Sequence, residues 1–162
     1  MDKFTVDRRV VLVFRLLMGW VFLYAGFSQV FLLNFSTAEF LEHTKTFHTL
    51  YAPLTSPAIT PVLTFLVSYG HLLIGLSLIS GLLVRVSAPF GVVLMLTYWT
   101  AHMDFPYIES HVNLLIDYHI VYAALIAWLV VANAGHAFGL DGWVAQKFGA
   151  RQAIGPMRPV AS

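Results

Sequence analysis

Long apolar runs separated by short polar breaks divide the chain into four stretches of membrane-spanning length. They cover about residues 10–33 (VVLVFRLLMGWVFLYAGFSQVFLL), 61–83 (PVLTFLVSYGHLLIGLSLISGLL), 86–103 (VSAPFGVVLMLTYWTAHM) and 112–134. A bilayer core of about 30 Å needs about 20 apolar residues per helix, so four spans use up most of the length. The first run has too long an apolar core for a cleavable signal peptide, and no small-x-small site follows it. The pattern predicts an all-α integral membrane protein, a four-transmembrane-helix bundle forming one domain over residues 1–162.

Two shorter elements complete the expectation. STAEFLEHTKTFHTLY predicts an amphipathic helix over about 37–51 on the outer surface, opened by a capping box of Ser36 and Glu39. Phe40, Thr44, Phe47 and Tyr51 share one face, Glu39, Glu42, His43 and Thr46 the other, and His48 falls on the apolar side. The proline-punctuated APLTSPAITP returns the chain to the membrane. After the fourth span, DGWVAQKF predicts a short C-terminal interfacial helix capped by Asp141.

Composition agrees with the pattern. The chain is 59% hydrophobic and only 10% charged, against about 25% charged in a soluble domain. Its formal charge of +1, with no basic run, excludes a nucleic-acid partner. The absence of cysteine excludes thiolate and disulfide chemistry for this chain alone.

Charge distribution sets the expected orientation. Lys3, Arg8, Arg9, Arg15, Arg85, Lys147, Arg151 and Arg158 fall on one side of the four-span reading, and only Lys45 on the other. By the positive-inside rule the chain is a multi-pass protein of the cell membrane, with both termini cytoplasmic. The outer side collects Glu39, Glu42, Asp104 and Glu109 with most of the histidines.

Ionisable and polar groups inside spans are costly and point to function. In span one, Arg15, Gly19, Phe22, Gly26 and Gln29 lie within about 80° of one another on a helix. That polar, small stripe faces the bundle, although Arg15 can alternatively snorkel to the inner headgroups. Span two puts His71 near mid-membrane in line with Gly75, and span three aligns Gly91, Met95, Tyr98 and His102. Span four offers Asn113, Asp117 and Val121 on one face, and Tyr118, His119 and Tyr122 on another. Between spans three and four, HMDFPYIESH places an H-x-D and an E-x-H around a Phe-Pro turn. Such groups can bind a divalent ion. No fixed geometry such as H-E-x-x-H is present, and no bound metal is predicted.

FRLLMGWVFLYAGFSQV, GHLLIGLSLISGLLVRVSA and ANAGHAFGLDGWV together resemble the DoxX/DoxD membrane proteins. NLLIDYHIVYAALIAW followed by AGHAFGLD resembles the DoxD-type small subunit of thiosulfate:quinone oxidoreductase. The likeness covers about residues 10–145 in the right order. Arg15, Gly19 and Gly26 match the family's span-one pattern, Gly75, Gly81 and Arg85 the end of span two, and Gly135, Gly139 and Asp141 the tail. Many DoxX relatives carry Lys at the position of Gln29 and an acid at that of His71. The resemblance implies a four-helix bundle that oxidises thiosulfate to tetrathionate on the outer face and passes electrons to a quinone. It also implies a single-span DoxA-like partner subunit; a homo-oligomer is compatible with it.

Joining two thiosulfates releases two electrons and no protons, while reducing a quinone consumes two protons. Histidine suits the proton supply, because it titrates near neutrality and both ring nitrogens can take part. The expected site is therefore His71 and His119 with Asp117 and Tyr122, with Arg15, Gln29, Tyr98 and His102 as quinone or anion contacts. Two other readings stand beside it. One is a non-catalytic subunit or scaffold of a respiratory or oxidative-stress complex. The other is a haem b carrier ligated by His71 and His119, disfavoured by their unequal expected depths. A transporter lacks a repeat or a broken span to support it.

At neutral pH the outer acids repel a dianion, whereas in acid the carboxylates neutralise and the histidines gain charge. Thiosulfate turnover is thus expected to rise as external pH falls below about 6. A rate profile with its optimum at about pH 8 or above would contradict this.

Overall fold

The computed structural model describes residues 7–32, 34–104, 107–108 and 116–148. Helix α1 (Arg8–Phe27) opens on Asp7, whose carboxylate accepts the Arg9 N–H at 2.8 Å. It runs into a π-helical turn, Ser28–Leu32. Two short helices follow, α2 (Thr37–Glu42) and α3 (His48–Tyr51). Then come the long helices α4 (Thr60–Ser80) and α5 (Val84–His102), joined by a tight turn. A two-residue antiparallel ladder pairs β1 (Met103–Asp104) with β2 (Tyr107–Ile108). Helix α6 (Tyr118–Val131) and the short α7 (Leu140–Lys147) complete the described chain.

The protein is an all-α membrane protein. Three of its helices, α1 with its π-turn, α4 and α5, are long and apolar enough to cross a bilayer. The fourth expected span is shorter than its apolar run suggested. Helix α6 has 14 residues, about 21 Å at 1.5 Å per residue. It starts late because Asp117, extended at φ −108° and ψ 179°, caps it. The Asp117 carboxylate accepts the N–H groups of His119 at 2.9 Å and Ile120 at 3.4 Å. Residues 112–115 of the expected span lie outside the described residues, as do Glu109, His111, Lys3, Arg151 and Arg158.

The outer helix expected over 37–51 is also broken. Ser36 caps α2 by accepting the Ala38 N–H at 3.2 Å. The helix stops after Glu42 because the next residues find other partners. The Thr44 hydroxyl donates to the Leu41 carbonyl at 2.7 Å, and the Thr46 N–H to the Met103 carbonyl at 3.1 Å. Leu41 and Tyr51 still bury against Ala101, so the segment packs on the bundle, while His48 is exposed.

Two glycines bring α1 and α4 into backbone contact. A Cβ on Gly26 would fall into the backbone of Leu72, and one on Gly75 into that of Leu23. All four long elements meet one layer away at Gly91 of α5. A Cβ there would sit 3.5 Å from Ile74 of α4 and 3.6 Å from both Ile126 of α6 and Phe22 of α1. Small residues that let helices approach are the main means of association in lipid, where apolar burial drives little.

The end carrying Arg8, Arg9, Arg85 and Lys147 is locked differently. Arg15 is 1% exposed and donates through Nη1 to the Ala134 carbonyl at 2.8 Å. Gly81 and Gly139 flank its guanidinium, and a Cβ on either would collide with it. The expected cap of α7 is reassigned here: Gly139 holds that position. Asp141 instead accepts the N–H groups of Leu83 at 2.8 Å and Val84 at 3.3 Å, at the start of α5.

Gly75→Ala is expected to lower stability by about 1–3 kcal/mol or more, because backbone cannot yield as a side chain does. Gly70, with no atom within 4 Å of a Cβ, is the control: Gly70→Ala should be neutral or up to about 1 kcal/mol stabilising. Unfolding in detergent, compared between the two variants, checks the pair.

Candidate functional site

Away from the Arg15 end, α1, α4, α5 and α6 part to leave a partly open cavity of about 330 Å³. The π-turn after α1 places Gln29 on its wall, and α2 contributes Phe40. Phe22, His71, Met95, Tyr98, His102, His119 and Tyr122 complete most of the lining. Among the described residues no Asp, Glu, Lys or Arg side chain lines it.

The rings form a connected cluster around Tyr98. Its ring lies 5.6 Å from that of His71 and 5.4 Å from that of His119, centroid to centroid. His119 stacks on His102 at 5.1 Å, and Phe22 supports His71 at 5.5 Å. Phe40 meets both Tyr98 and His102 edge-on, at 5.1 and 4.8 Å. The Gln29 amide approaches the Tyr98 phenol, while its buried Oε1 has no hydrogen-bond partner. A buried amide oxygen without a donor is costly unless a ligand or water supplies one.

Each of the three imidazoles is held through Nδ1. His71 donates to the Val67 carbonyl at 2.8 Å, and His102 to the Tyr98 carbonyl at 2.8 Å. Both are the carbonyl one helical turn back, so the backbone itself sets the ring orientation. His119 donates to the Asp117 carboxylate at 2.9 Å, a pair whose side chains are 7% and 8% exposed. Since Nδ1 carries the proton, the neutral ring keeps Nε2 as its acceptor. Three rings thus share one tautomer, suited to accepting a proton or a ligand hydrogen bond at Nε2.

Of the residues singled out in the sequence, His71, His119, Tyr122, Gln29, Tyr98 and His102 share this one cavity. Asp117 stands behind it, orienting His119 and capping α6 at once. Arg15 does not join them. It is committed to Ala134 and the glycines at the opposite end, which also excludes snorkelling. The H-x-D motif is divided, with His102 turned to the cavity and Asp104 bonded to Lys45 at 2.7 Å. Among the described residues no three His, Asp or Glu side chains converge as a metal-ligand set. The sequence did not assign Phe40 or Tyr118 to the site. Phe40 was legible only as one apolar position on an outer helix, and Tyr118 only as a neighbour of His119.

The DoxX family pattern matches residues 10–103. The chain belongs to the DoxX family. No curated protein and no solved structure matches it. The DoxX match takes in Gln29, His71, Tyr98 and His102 and ends at Met103. Asp117, His119 and Tyr122, the α6 side of the cavity, lie beyond it.

Asp117→Asn should keep α6 capped, since Asn caps a helix as well as Asp, whereas Asp117→Ala should cost about 1 kcal/mol. Both remove the anionic acceptor of His119. Nitrogen NMR of labelled histidine is expected to show the His119 tautomer shift in both variants, with thermal stability falling only in the alanine variant. An unchanged His119 signal in both would mean that Asp117 serves the helix alone.

Proposed function

We propose that this DoxX protein is the membrane subunit of a thiosulfate:quinone oxidoreductase-like enzyme and that the cavity receives the quinone head group. The observation that carries the reading is the meeting of Gln29, His71, Tyr98, His102, His119 and Tyr122 in one cavity whose described wall includes no Asp, Glu, Lys or Arg. A quinone ring is flat, neutral and apolar on its faces, with two carbonyl oxygens at its edge. Stacked aromatics suit the faces, and phenol, amide and imidazole groups suit the edge. The volume falls in the range of small-molecule sites.

Reduction adds two electrons and two protons to the ring, giving the quinol. The electrons come from two thiosulfate ions, which couple through a new S–S bond to give tetrathionate. Histidines supply the protons, with His119 recharged through its buried contact with Asp117. Among the described residues the cavity wall offers a dianion no Lys or Arg side chain, and the reading places thiosulfate oxidation at the outer surface or on the single-span partner. The resemblance of residues 113–128 and 134–141 to the DoxD-type subunit supports this substrate pair, and the basic end supports a cytoplasmic location for the termini. A haem ligated by His71 and His119 fits less well. The Tyr98 ring packs against both imidazoles and would have to be displaced.

The test is thiosulfate-dependent quinone reduction by the chain reconstituted with and without its partner. His119→Ala and His71→Leu are each expected to lower quinone turnover by about 100-fold, the scale of a lost acid–base group. Arg15 variants should instead lower the yield of folded protein. Full turnover in His119→Ala would overturn the reading. A stable complex active with every intramembrane histidine replaced would favour the scaffold role.

A further inference from the structure

We propose that the cavity is filled sideways from the bilayer, through the seam between α1 and α6, and that its occupant is a ring compound bearing a long apolar tail. The proposal rests on the quinone reading for the head group and adds the route and the tail.

The mouth is located by exposure. Most lining residues are buried or half-buried, but Val21 is 36% and Tyr118 58% exposed. A residue that both lines a cavity and meets the surroundings stands at its opening. Val21 belongs to α1 and Tyr118 to α6. Ala25 and Tyr122, one helical turn on from each, line the same gap. These two helices are not consecutive in the chain, so no tight turn joins them.

The seam is closed at its other end. Phe14 and Trp128 meet edge-on at 5.8 Å, and the Arg15 guanidinium ties α1 to Ala134 beyond α6. The outer side is roofed. Phe40 sits against Tyr98 and His102, and α2 is held there by Thr37, whose N–H donates to the Thr64 hydroxyl at 3.1 Å. The gap between Val21 and Tyr118 opens beside an apolar stretch of α1 long enough to cross a bilayer. Val21 lies 13 residues beyond Arg8 in a helix that ends at Phe27, about 20 Å along its axis and within the hydrocarbon. A head group seated among His71, Tyr98 and His119 then leaves its tail between Val21 and Ala25 on one side and Tyr118 and Tyr122 on the other.

The chain contains no cysteine, which allows a direct test on the full-length protein in phospholipid nanodiscs. The probes are ubiquinone and menaquinone with long isoprenoid tails, each beside its tailless ring. In a Val21→Cys variant, a tailed quinone is expected to slow labelling of the introduced thiol by a lipid-soluble maleimide, and its tailless ring is not. Ala25→Trp, which fills the seam, should weaken the tailed quinone about tenfold and leave the tailless ring within about threefold. Equal effects on both forms, or labelling indifferent to either tailed quinone, would overturn the lateral route while leaving the quinone site intact. Binding of none of the four probes to the unaltered chain would overturn the quinone reading itself, and this proposal with it.

Discussion

Contact between the α1 and α4 backbones, made possible by Gly26 and Gly75, sets the positions of nearly everything else. Lipid offers two apolar helices no reason to prefer each other over acyl chains. Dispersion across a close interface supplies one, and only glycine lets two backbones come that near. The contact is local to the site. Gly26 lies against the segment His71–Leu72, so the crossing point that joins the helices also fixes His71 beside Phe22. Helix α5 then closes on this pair at Gly91, and α6 packs against it through Ile126. The cavity is what remains above that layer, where larger side chains hold the helices apart.

Backbone strain and the buried arginine lie at the other end. Leu83, Asn133 and Phe138 all adopt left-handed backbone, at φ 56°, 52° and 56°. Such conformations cost about 1 kcal/mol or more each without glycine's freedom. They sit in the connections that wrap Arg15 and Asp141. The Arg15 guanidinium reaches the carbonyl of Ala134, directly after Asn133, and Asp141 accepts the N–H of Leu83 itself. Removing an ion from water is expensive, so a buried arginine persists only where its partners are held in place. The strained turns provide that fixed surround, and the bonds in turn hold the turns. The basic end is therefore a clamp that closes the bundle, and the cavity lies at the other end.

The membrane class, the apolar elements and most of the cavity wall were readable from the chain, for a simple reason. Helical periodicity is a property of each span alone. It put Phe22 and Gln29 on one stripe, Tyr98 and His102 on another, and His71 in line with Gly75, which is how they face inward. Properties that depend on contacts between elements were not readable. Arg15 shares its stripe with Gln29, yet about 14 residues of helix separate them by about 20 Å, so one face serves two ends. Asp141 looked like the cap of the helix it begins, because capping rules see only local sequence. Its stronger partners, Leu83 and Val84, are supplied by the α4–α5 turn. The late start of α6 was hidden for the opposite reason, since an apolar run continues whether or not the backbone is helical. Asp117 was the signal there, an N-cap residue inside a supposed span.

That late start also bears on how the imidazoles of the cavity are held. A helix that crossed the whole bilayer would carry His119 as an interior residue, its ring set by a backbone carbonyl as in His71 and His102. Beginning at Tyr118, α6 instead puts His119 in the first turn, where the capping carboxylate can reach both its backbone N–H and its ring. One aspartate thus satisfies a helix end and fixes the orientation of an imidazole. His71 and His102 are instead tied to the backbone carbonyl one turn back. The three histidines therefore share a tautomer and differ in what holds it, a capping carboxylate for His119 and the helix's own backbone for the other two.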